Sequence, residues 1–295
     1  ELGVEIEENS ELDLLVSFKE HENDPRIPEV CADMAKEMGE GKYYADLNVK
    51  MAQFELTLLD WAEAHKGARK YVAFADKCWP AFPSQFGFEP CYVNSRLASR
   101  GIPVSCEVDI YGALSEYIGL CISNDAVTLL DINNSVPQYI YDEDIKGKYD
   151  YKLTDTFMGF HCGNTPACKM CDSRAVKYQL IQHRLLEPAG SEPDFTRGTL
   201  EGDIAASDIT FYRLQCNSEG ELVSYVAEGE VLDVPTRSFG GIGIFAIKEM
   251  GRFYRHVLIE GNYPHHGAVM FGHYGKAFYE VVNFPGLDVK NIRYN

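Results

Sequence analysis

The sequence has few basic residues and no long apolar segment. Lys and Arg together number 27 against 45 Asp and Glu, so the formal net charge is −18. A chain this acidic repels nucleic-acid phosphates and anionic membrane surfaces, and we expect neither as a partner. No apolar run approaches the roughly 18 residues that a membrane helix needs. The first residues, Glu-Leu-Gly-Val-Glu-Ile-Glu-Glu, also lack the basic and apolar regions of a signal peptide, so we expect a cytoplasmic protein.

Two familiar sequence patterns are incomplete or missing. The chain has nine cysteines, an odd number scattered through its length, which favours reduced thiols over a disulfide framework. Cys168 and Cys171 form a CxxC pair, but no second CxxC follows to complete a structural zinc site. Gly240, Gly241 and Gly243 do not have the GxGxxG spacing. We therefore expect a turn or a tight barrel strand there rather than a nucleotide-binding loop.

The first half of the sequence alternates between helical and strand-like patterns. The length of 295 residues suits two domains. Apolar positions at helical spacing predict helices at 27–38 and 44–65. Further helices are predicted at 91–99, where Gly101 is a natural cap, and at 111–122. Short apolar runs predict buried strands at 71–75, 102–106 and 126–131, and residues 12–16 are a further candidate strand. This alternation is typical of a parallel, doubly wound sheet.

After about residue 155 the pattern changes to short β-branched or aromatic segments separated by turn residues. They lie at 198–204, 209–214, 221–226 and 229–232, with weaker helices at 250–255 and 275–279. Such segments are typical of antiparallel strands in a barrel or sandwich. We therefore predict an α/β protein with a Rossmann-like parallel-sheet domain over 1–155, followed by an antiparallel β-barrel-type domain over 156–295.

Acidic residues occur at the ends of two successive predicted strands. Glu107 follows the strand at 102–106, and Asp131 ends the strand at 126–131. The carboxyl ends of parallel strands meet at one edge of a sheet, where open α/β folds bind ligands. Taken singly, such a residue usually caps a helix or lies in a solvated loop. Together with one imidazole of the pair His265 and His266, however, two carboxylates suit Mn²⁺, Co²⁺ or Mg²⁺.

Other polar and aromatic residues are candidates for contacting a substrate. His161 and Asn164 lie in a polar, turn-forming segment that follows the α/β part, where we expect them to line a cleft. Trp79 precedes a proline and either stacks on a sugar or packs within its loop. The two adjacent histidines project in different directions, so one could bind metal while the other binds substrate or packs. His265 is the candidate for binding substrate.

Several of these segments, taken in order, resemble a known family. They are Cys-Trp-Pro at 78–80, Ser-Cys-Glu-Val-Asp-Ile-Tyr-Gly-Ala-Leu at 105–114, Leu-Asp-Ile-Asn-Asn at 130–134, His-Cys-Gly-Asn at 161–164 and His-His-Gly at 265–267. This set resembles the L-fucose isomerase and L-arabinose isomerase superfamily, in particular its L-fucose isomerase branch. The resemblance implies that Glu107 and Asp131 are metal ligands and acid/base residues, with His266 the preferred third ligand and His265 the alternative.

The resemblance also implies an architecture and an activity. The family has two Rossmann-like domains and a C-terminal barrel, assembled as trimers or hexamers with active sites between subunits. This chain corresponds to the second Rossmann-like domain and the barrel, so we expect a homo-oligomer, or a separate chain that supplies the first domain. The implied reaction is Mn²⁺-dependent isomerisation of a free sugar such as L-fucose, D-arabinose or L-arabinose through a cis-enediol. The alternatives are an isomerase for another or a modified sugar, and a non-catalytic sugar-binding or assembly subunit.

Overall fold

The fold begins with three helices that pack together ahead of the sheets. A computed structural model describes residues 3–294. Helix α1 spans Glu11–Glu20, α2 spans Ile27–Met38 and α3 spans Ala45–His65. Ser10 begins α1 with a reciprocal capping box to Asp13, so residues 12–16 are helical and the strand predicted there is wrong. The ranges predicted for α2 and α3 agree with the structure to within one residue.

A small parallel sheet carries the first acidic segment. Strands β1 (Phe74–Ala75) and β2 (Val104–Ser105) pair in parallel, with Phe74 opposite Val104. The connection between them contains helices α4 (Phe82–Phe86) and α5 (Cys91–Ser99), and helix α6 (Ile110–Ser123) follows β2. Helix α5 covers the sheet and packs its buried face on α3. The carboxyl ends of β1 and β2 therefore lie side by side, immediately before α6 begins.

A closed antiparallel barrel forms most of the remaining structure. Its strands follow the order β8, β7, β10, β3, β4 and β9, and a pairing of β9 with β8 closes the ring. The barrel strands are β3 (Val127–Asn134), β4 (Thr156–His161), β7 (Ser207–Cys216), β8 (Leu222–Val231), β9 (Gly241–Ala246) and β10 (His266–Phe271). Aromatic side chains of β4, β7, β8 and β9 fill the interior, among them Phe157, Phe211, Tyr225 and Phe245. The predicted fold class, a parallel sheet followed by a β-barrel, is confirmed.

Further elements extend and cover the barrel. Strands β5 (Ala175–Tyr178) and β6 (Arg197–Asp203) continue the sheet beyond β9, and β11 (Val289–Tyr294) pairs in parallel with β8. The other helices are α7 (Gln138–Ile140), α8 (Leu180–Leu186), α9 (Met250–Phe253) and α10 (Gly275–Val282), with π-helical turns after α7 and α9. Among residues 3–294, no helix combines the length and apolar character needed to cross a membrane.

The position of β3 differs from the sequence-based expectation. The strand predicted at 126–131 was assigned to the parallel sheet, but β3 lies in the barrel between β10 and β4. Val127 and Leu129 pack under α6, whereas Leu130 points into the barrel interior. Because both faces of β3 are buried, its apolar run resembles that of a parallel strand. The domain division near residue 155 stays a prediction, although β3 joins the barrel from before that point.

A second difference from the sequence-based expectation concerns β8, and its cause is the pairing of this strand with its neighbours. The segments at 221–226 and 229–232 were predicted as separate strands, but they form the single strand β8. Its ten residues pair continuously with β7, from Ser207 opposite Val231 to Cys216 opposite Leu222. Gly229, which begins the second predicted segment, lies against the backbone of β9 where a Cβ atom would not fit. The glycine therefore marks a close approach of two strands rather than a turn.

Helix α6 fits onto the barrel through a glycine, which gives a stability prediction. The buried Tyr212 of β7 donates its hydroxyl to the Ser115 carbonyl at 2.9 Å, and a Cβ atom at Gly119 would overlap that hydroxyl. We expect Gly119→Ala to lower the unfolding free energy by about 1–3 kcal/mol, because the close-packed interface must shift. Urea denaturation measures this change. Gly251→Ala is the matched control, since its nearest contact would be an ordinary 3.8 Å; an equal loss in both variants would contradict the packing argument.

Candidate metal centre

Three sequence-predicted residues from separate elements meet at one end of the barrel. Asp131 of β3 lies directly opposite His266 of β10, and the Ile132 backbone N–H donates to the His265 carbonyl at 2.9 Å beside them. The Nε2 atom of His266 is 3.1 Å from Oδ1 of Asp131 and 3.5 Å from Oε2 of Glu107. The barrel therefore supplies two donors, and the segment after β2 supplies the third.

The backbone at Glu107 adopts an unusual conformation that directs this side chain towards the barrel. Glu107 and Val108 have φ values of +64° and +58°, in the left-handed region that β-branched residues rarely occupy. The Val108 N–H donates to the Asp76 carbonyl at 2.8 Å, and the Asp109 N–H donates to the Cys106 carbonyl at 3.1 Å. These bonds hold a tight turn between β2 and α6. Strain of this kind clusters at functional sites.

Two of the donor atoms at this place lack hydrogen-bond partners within residues 3–294. They are Nε2 of His266 and Oδ1 of Asp131, and both are buried. Leaving buried polar atoms unpaired costs about 1–3 kcal/mol each. Donor atoms of Asp131, His265 and His266 lie within 4.8 Å of one another, as do those of Glu107, His161 and His266. Both carboxylates face Nε2 of His266, and such a set of oxygen and nitrogen donors suits a divalent cation.

Asp109 supports His266 from behind. Its Oδ2 atom is 2.9 Å from Nδ1 of His266, and both carboxylate oxygens accept hydrogen bonds from the Arg213 guanidinium at 2.8 Å. Oδ1 also accepts from the Gly112 N–H at 2.8 Å, so the same carboxylate caps α6. A carboxylate on the far nitrogen of a ligating histidine fixes its tautomer and orientation. Sequence reasoning missed Asp109, whose only sequence signal is its position before a helix.

The acidic partners change the proton affinities at this centre. Burial lowers the pKa of His266, but the contacts with Asp109 and Asp131 outweigh burial and raise this pKa to about 9. Burial also raises the pKa of Asp109, yet His266 and Arg213 hold it well below its usual range. The pKa of Asp131 is lowered as well, because contact with His266 and nearby imidazoles overcomes burial. The carboxylates are therefore ionised, as cation binding requires.

Residues 159–293 match the family described as L-fucose isomerase, C-terminal domain. This match confirms the superfamily resemblance for that part of the chain. The matched stretch includes His266 and begins after Glu107 and Asp131, so the candidate metal centre combines residues from within it and from before it.

Curated relatives extend the similarity over most of the chain. Sulfoquinovose isomerase of Alkalicoccus urumqiensis is 25% identical over 252 residues, which are 81% of this chain and 49% of that protein. Sulfoquinovose isomerase of Priestia aryabhattai is 26% identical over 245 residues, covering 82% of this chain and 48% of that protein. Another, from Clostridium, is 26% identical over 176 residues, 57% of this chain and 32% of that protein. The chain spans about half the length of the first two relatives.

The two other histidines of the centre differ in exposure. His161, at the end of β4 in the matched stretch, is 4% exposed. Burial lowers the pKa of this imidazole, so it is held neutral. The His265 side chain is 62% exposed, with Nε2 3.5 Å from Oδ1 of Asp131. The contacts made by both nitrogens of His266 favour it as the third ligand; the choice between His265 and His266 stays a prediction.

The remaining sequence candidates lie in different surroundings. Asn164, in the loop after β4, is buried, and its Oδ1 atom has no hydrogen-bond partner in the part of the chain that the structure describes. Trp79 packs against the core formed by α1–α5, which is the packing alternative left open by the sequence. Its predicted sugar contact stays a prediction. Among the described residues, no close group of metal donors contains Cys168 or Cys171.

Proposed function

We propose that this chain carries the active site of a metal-dependent aldose–ketose isomerase acting on a free sugar such as L-fucose, D-arabinose or L-arabinose. The observation that carries this proposal is the convergence of Glu107, Asp131 and His266 with unpaired donor atoms on His266 and Asp131. Sugar-isomerase relatives support the reaction class. The donor set suits Mn²⁺ as the cofactor, with Co²⁺ or Mg²⁺ as alternatives.

A divalent cation bound here would polarise the sugar carbonyl and stabilise negative charge on the substrate oxygens. The residues of the chain supply the proton transfers. One of the carboxylates, Glu107 or Asp131, removes the proton from C2 of the open-chain aldose and returns it to C1. The other carries the hydroxyl proton from O2 to O1. The C2–H bond breaks and a C1–H bond forms through a cis-enediol, and no atom or electron is gained or lost.

The charges around the centre favour an uncharged sugar. Glu107, Asp109 and Asp131 are acidic, and Asp109 already engages Arg213 with both of its oxygens. The proposed divalent cation offsets two of these negative charges, and a sulfonate would need a further free cation near the centre. Sulfoquinovose carries such a group, and the named activity of the relatives makes it the second candidate substrate. If it is the substrate, groups outside this cluster must bind the sulfonate.

The exposure of Glu107 supports a proposal about partners. Its side chain is 59% exposed, whereas the side chains of Asp131 and His266 are 17% and 6% exposed. Closed sites exclude water and strengthen electrostatic contacts. We propose that a second subunit of a homotrimer or homohexamer, or a separate chain bearing the first Rossmann-like domain, covers the Glu107 side. If the chain has no activity of its own, the alternative is a sugar-binding or assembly subunit.

Metal removal tests the proposed function. We expect EDTA to abolish aldose-to-ketose conversion and Mn²⁺ to restore it, because the carboxylates alone cannot stabilise the developing charge on the substrate oxygens. The panel contains L-fucose, D-arabinose, L-arabinose and sulfoquinovose, and ketose formation is measured by chromatography. Turnover unaffected by EDTA would contradict the proposal. Tight Mn²⁺ binding without turnover, alone and with candidate partner chains, would favour the non-catalytic alternative.

A further inference from the structure

His161 has a defined hydrogen-bond pattern on one ring nitrogen. Its Nδ1 atom accepts the backbone N–H of Cys162 at 3.0 Å. A nitrogen that accepts a hydrogen bond carries no proton, and in a neutral imidazole the other nitrogen then carries it. The Nε2 atom of His161 is therefore an N–H donor. This donor is buried and has no partner among the described residues.

His266 has the opposite arrangement. Its Nδ1 atom lies 2.9 Å from the carboxylate of Asp109, which can only accept, so Nδ1 carries a proton and donates. In the neutral imidazole, the lone pair is then on Nε2, which faces Asp131 at 3.1 Å. A metal ligand needs that lone pair. His266 can bind a cation through Nε2 once the proton on that nitrogen is displaced, whereas His161 would also have to lose its hydrogen bond from Cys162.

The surroundings of His161 hold this arrangement in place. Gln179 donates from Nε2 to the sulfur of Cys162 at 3.2 Å. The Oε1 atom of Gln179 accepts the N–H groups of Ile181 and Gln182 at 2.6 and 2.8 Å, so the same side chain caps α8. Gly163 follows with φ +135°, and its Cα is so close to the Leu200 backbone that a Cβ atom would not fit. The segment that supplies the Cys162 N–H is therefore fixed on two sides.

The position of the donor indicates what it contacts. Ligand atoms of His161, Glu107 and His266 lie within 4.8 Å of one another, and the ring centres of His161 and His266 are 5.8 Å apart. We propose that His161 is a catalytic hydrogen-bond donor to a sugar oxygen and does not ligate the metal. This proposal rests on the proposed isomerase function. Its Nε2–H stabilises the oxygen that gains negative charge when the C2 proton is removed.

Substitution of His161 distinguishes a hydrogen-bond donor to the sugar from a metal ligand. We expect His161→Phe to keep the Mn²⁺ dissociation constant within about threefold and to lower kcat about 10²- to 10³-fold, the usual effect of losing one such donor. His161→Gln, which places an amide N–H near the position of Nε2, should recover part of kcat. His266→Gln is the ligand control and should weaken Mn²⁺ binding strongly. Mn²⁺ binding is followed by electron paramagnetic resonance.

Three results would overturn the proposal. The first is a loss of Mn²⁺ affinity in His161→Phe equal to that in His266→Gln. The second is a kcat of His161→Phe equal to that of the wild-type chain. If the wild-type chain has no turnover, the corresponding result is an equal affinity of the Mn²⁺-loaded wild-type and His161→Phe chains for ribitol. The third is a protonated Nδ1 on His161 in ¹⁵N spectra of the Mg²⁺-loaded wild-type chain, which needs no variant. If only the proposed isomerase function is wrong, the wild-type chain would show neither turnover nor ribitol binding, while the ¹⁵N spectra would still show an unprotonated Nδ1 on His161.

Discussion

Glu107→Gln is expected to abolish sugar isomerisation and to weaken Mn²⁺ binding. The amide keeps the shape of the side chain but loses the negative charge that faces Nε2 of His266 at 3.5 Å. It also cannot take a proton, so one of the two acid/base groups is lost. A missing acid/base group lowers kcat about 10²- to 10⁴-fold. The loss of Mn²⁺ affinity should exceed the roughly 10- to 100-fold effect seen when only a supporting residue is removed.

The measurement combines ketose formation with Mn²⁺ titration of the same samples. Glu280→Gln, on an exposed position of α10, removes one negative charge elsewhere and should leave both quantities unchanged. If Glu107→Gln retained wild-type turnover, Glu107 would be neither a ligand nor an acid/base residue. The exposed Glu107 carboxylate would then lie at the edge of the site without contacting metal or substrate, and the metal ligands would be Asp131 and the histidines.

Asp109→Asn is expected to have the largest effect on stability. The Arg213 side chain is 5% exposed, and its guanidinium is paired with Asp109 through two hydrogen bonds. Removing the partner of a buried charge costs about 3–5 kcal/mol, because the remaining charge stays out of water. Asparagine can still cap Gly112, so the start of α6 should be preserved. Mn²⁺ affinity should fall about 10- to 100-fold, as expected when the carboxylate behind a ligating histidine is lost.

Urea unfolding and Mn²⁺ titration measure the two effects separately. Asp172→Asn is the matched control, since Asp172 also contacts an arginine, Arg174, at 3.2 Å but is fully exposed. Exposed pairs contribute about 0–1 kcal/mol, so this control should change little. Equal stability losses in the two variants would mean that burial of Arg213 does not determine the cost. An unchanged Mn²⁺ affinity in Asp109→Asn would show that His266 does not depend on Asp109.

The sequence was sufficient to predict several helices and segments of the barrel strands β7 and β8. The helices predicted at 27–38 and 91–99 have the same bounds as α2 and α5, through apolar spacing in the first and the glycine cap at Gly101 in the second. The sequence also placed Glu107, Asp131 and His266 in one candidate site, and the structure brings them together. Asp131 reaches the site from the barrel, however, rather than from the predicted parallel sheet. A strand buried on both faces has the same apolar pattern in either setting.

Other parts of the site depend on interactions that have no local sequence signal. Asp109 reads as an ordinary helix cap, and its second contact, with Arg213, joins positions that are far apart in the chain. The left-handed turn at Glu107 and Val108 runs against the backbone preference of valine, so propensity argues against it. The tautomer of His161 follows from one backbone hydrogen bond, which only the folded chain defines.

The barrel uses a strand that lies outside the stretch recognised as the L-fucose isomerase C-terminal domain. That stretch covers residues 159–293, whereas β3 covers Val127–Asn134 and separates β10 from β4. A polypeptide cut at residue 159 would leave those two neighbours with unpaired edges, which invite association with other chains. The segment that sequence comparison identifies is thus smaller than the closed barrel. Exchange of this barrel between proteins, by recombination or by design, would have to carry β3, and with it Asp131, along.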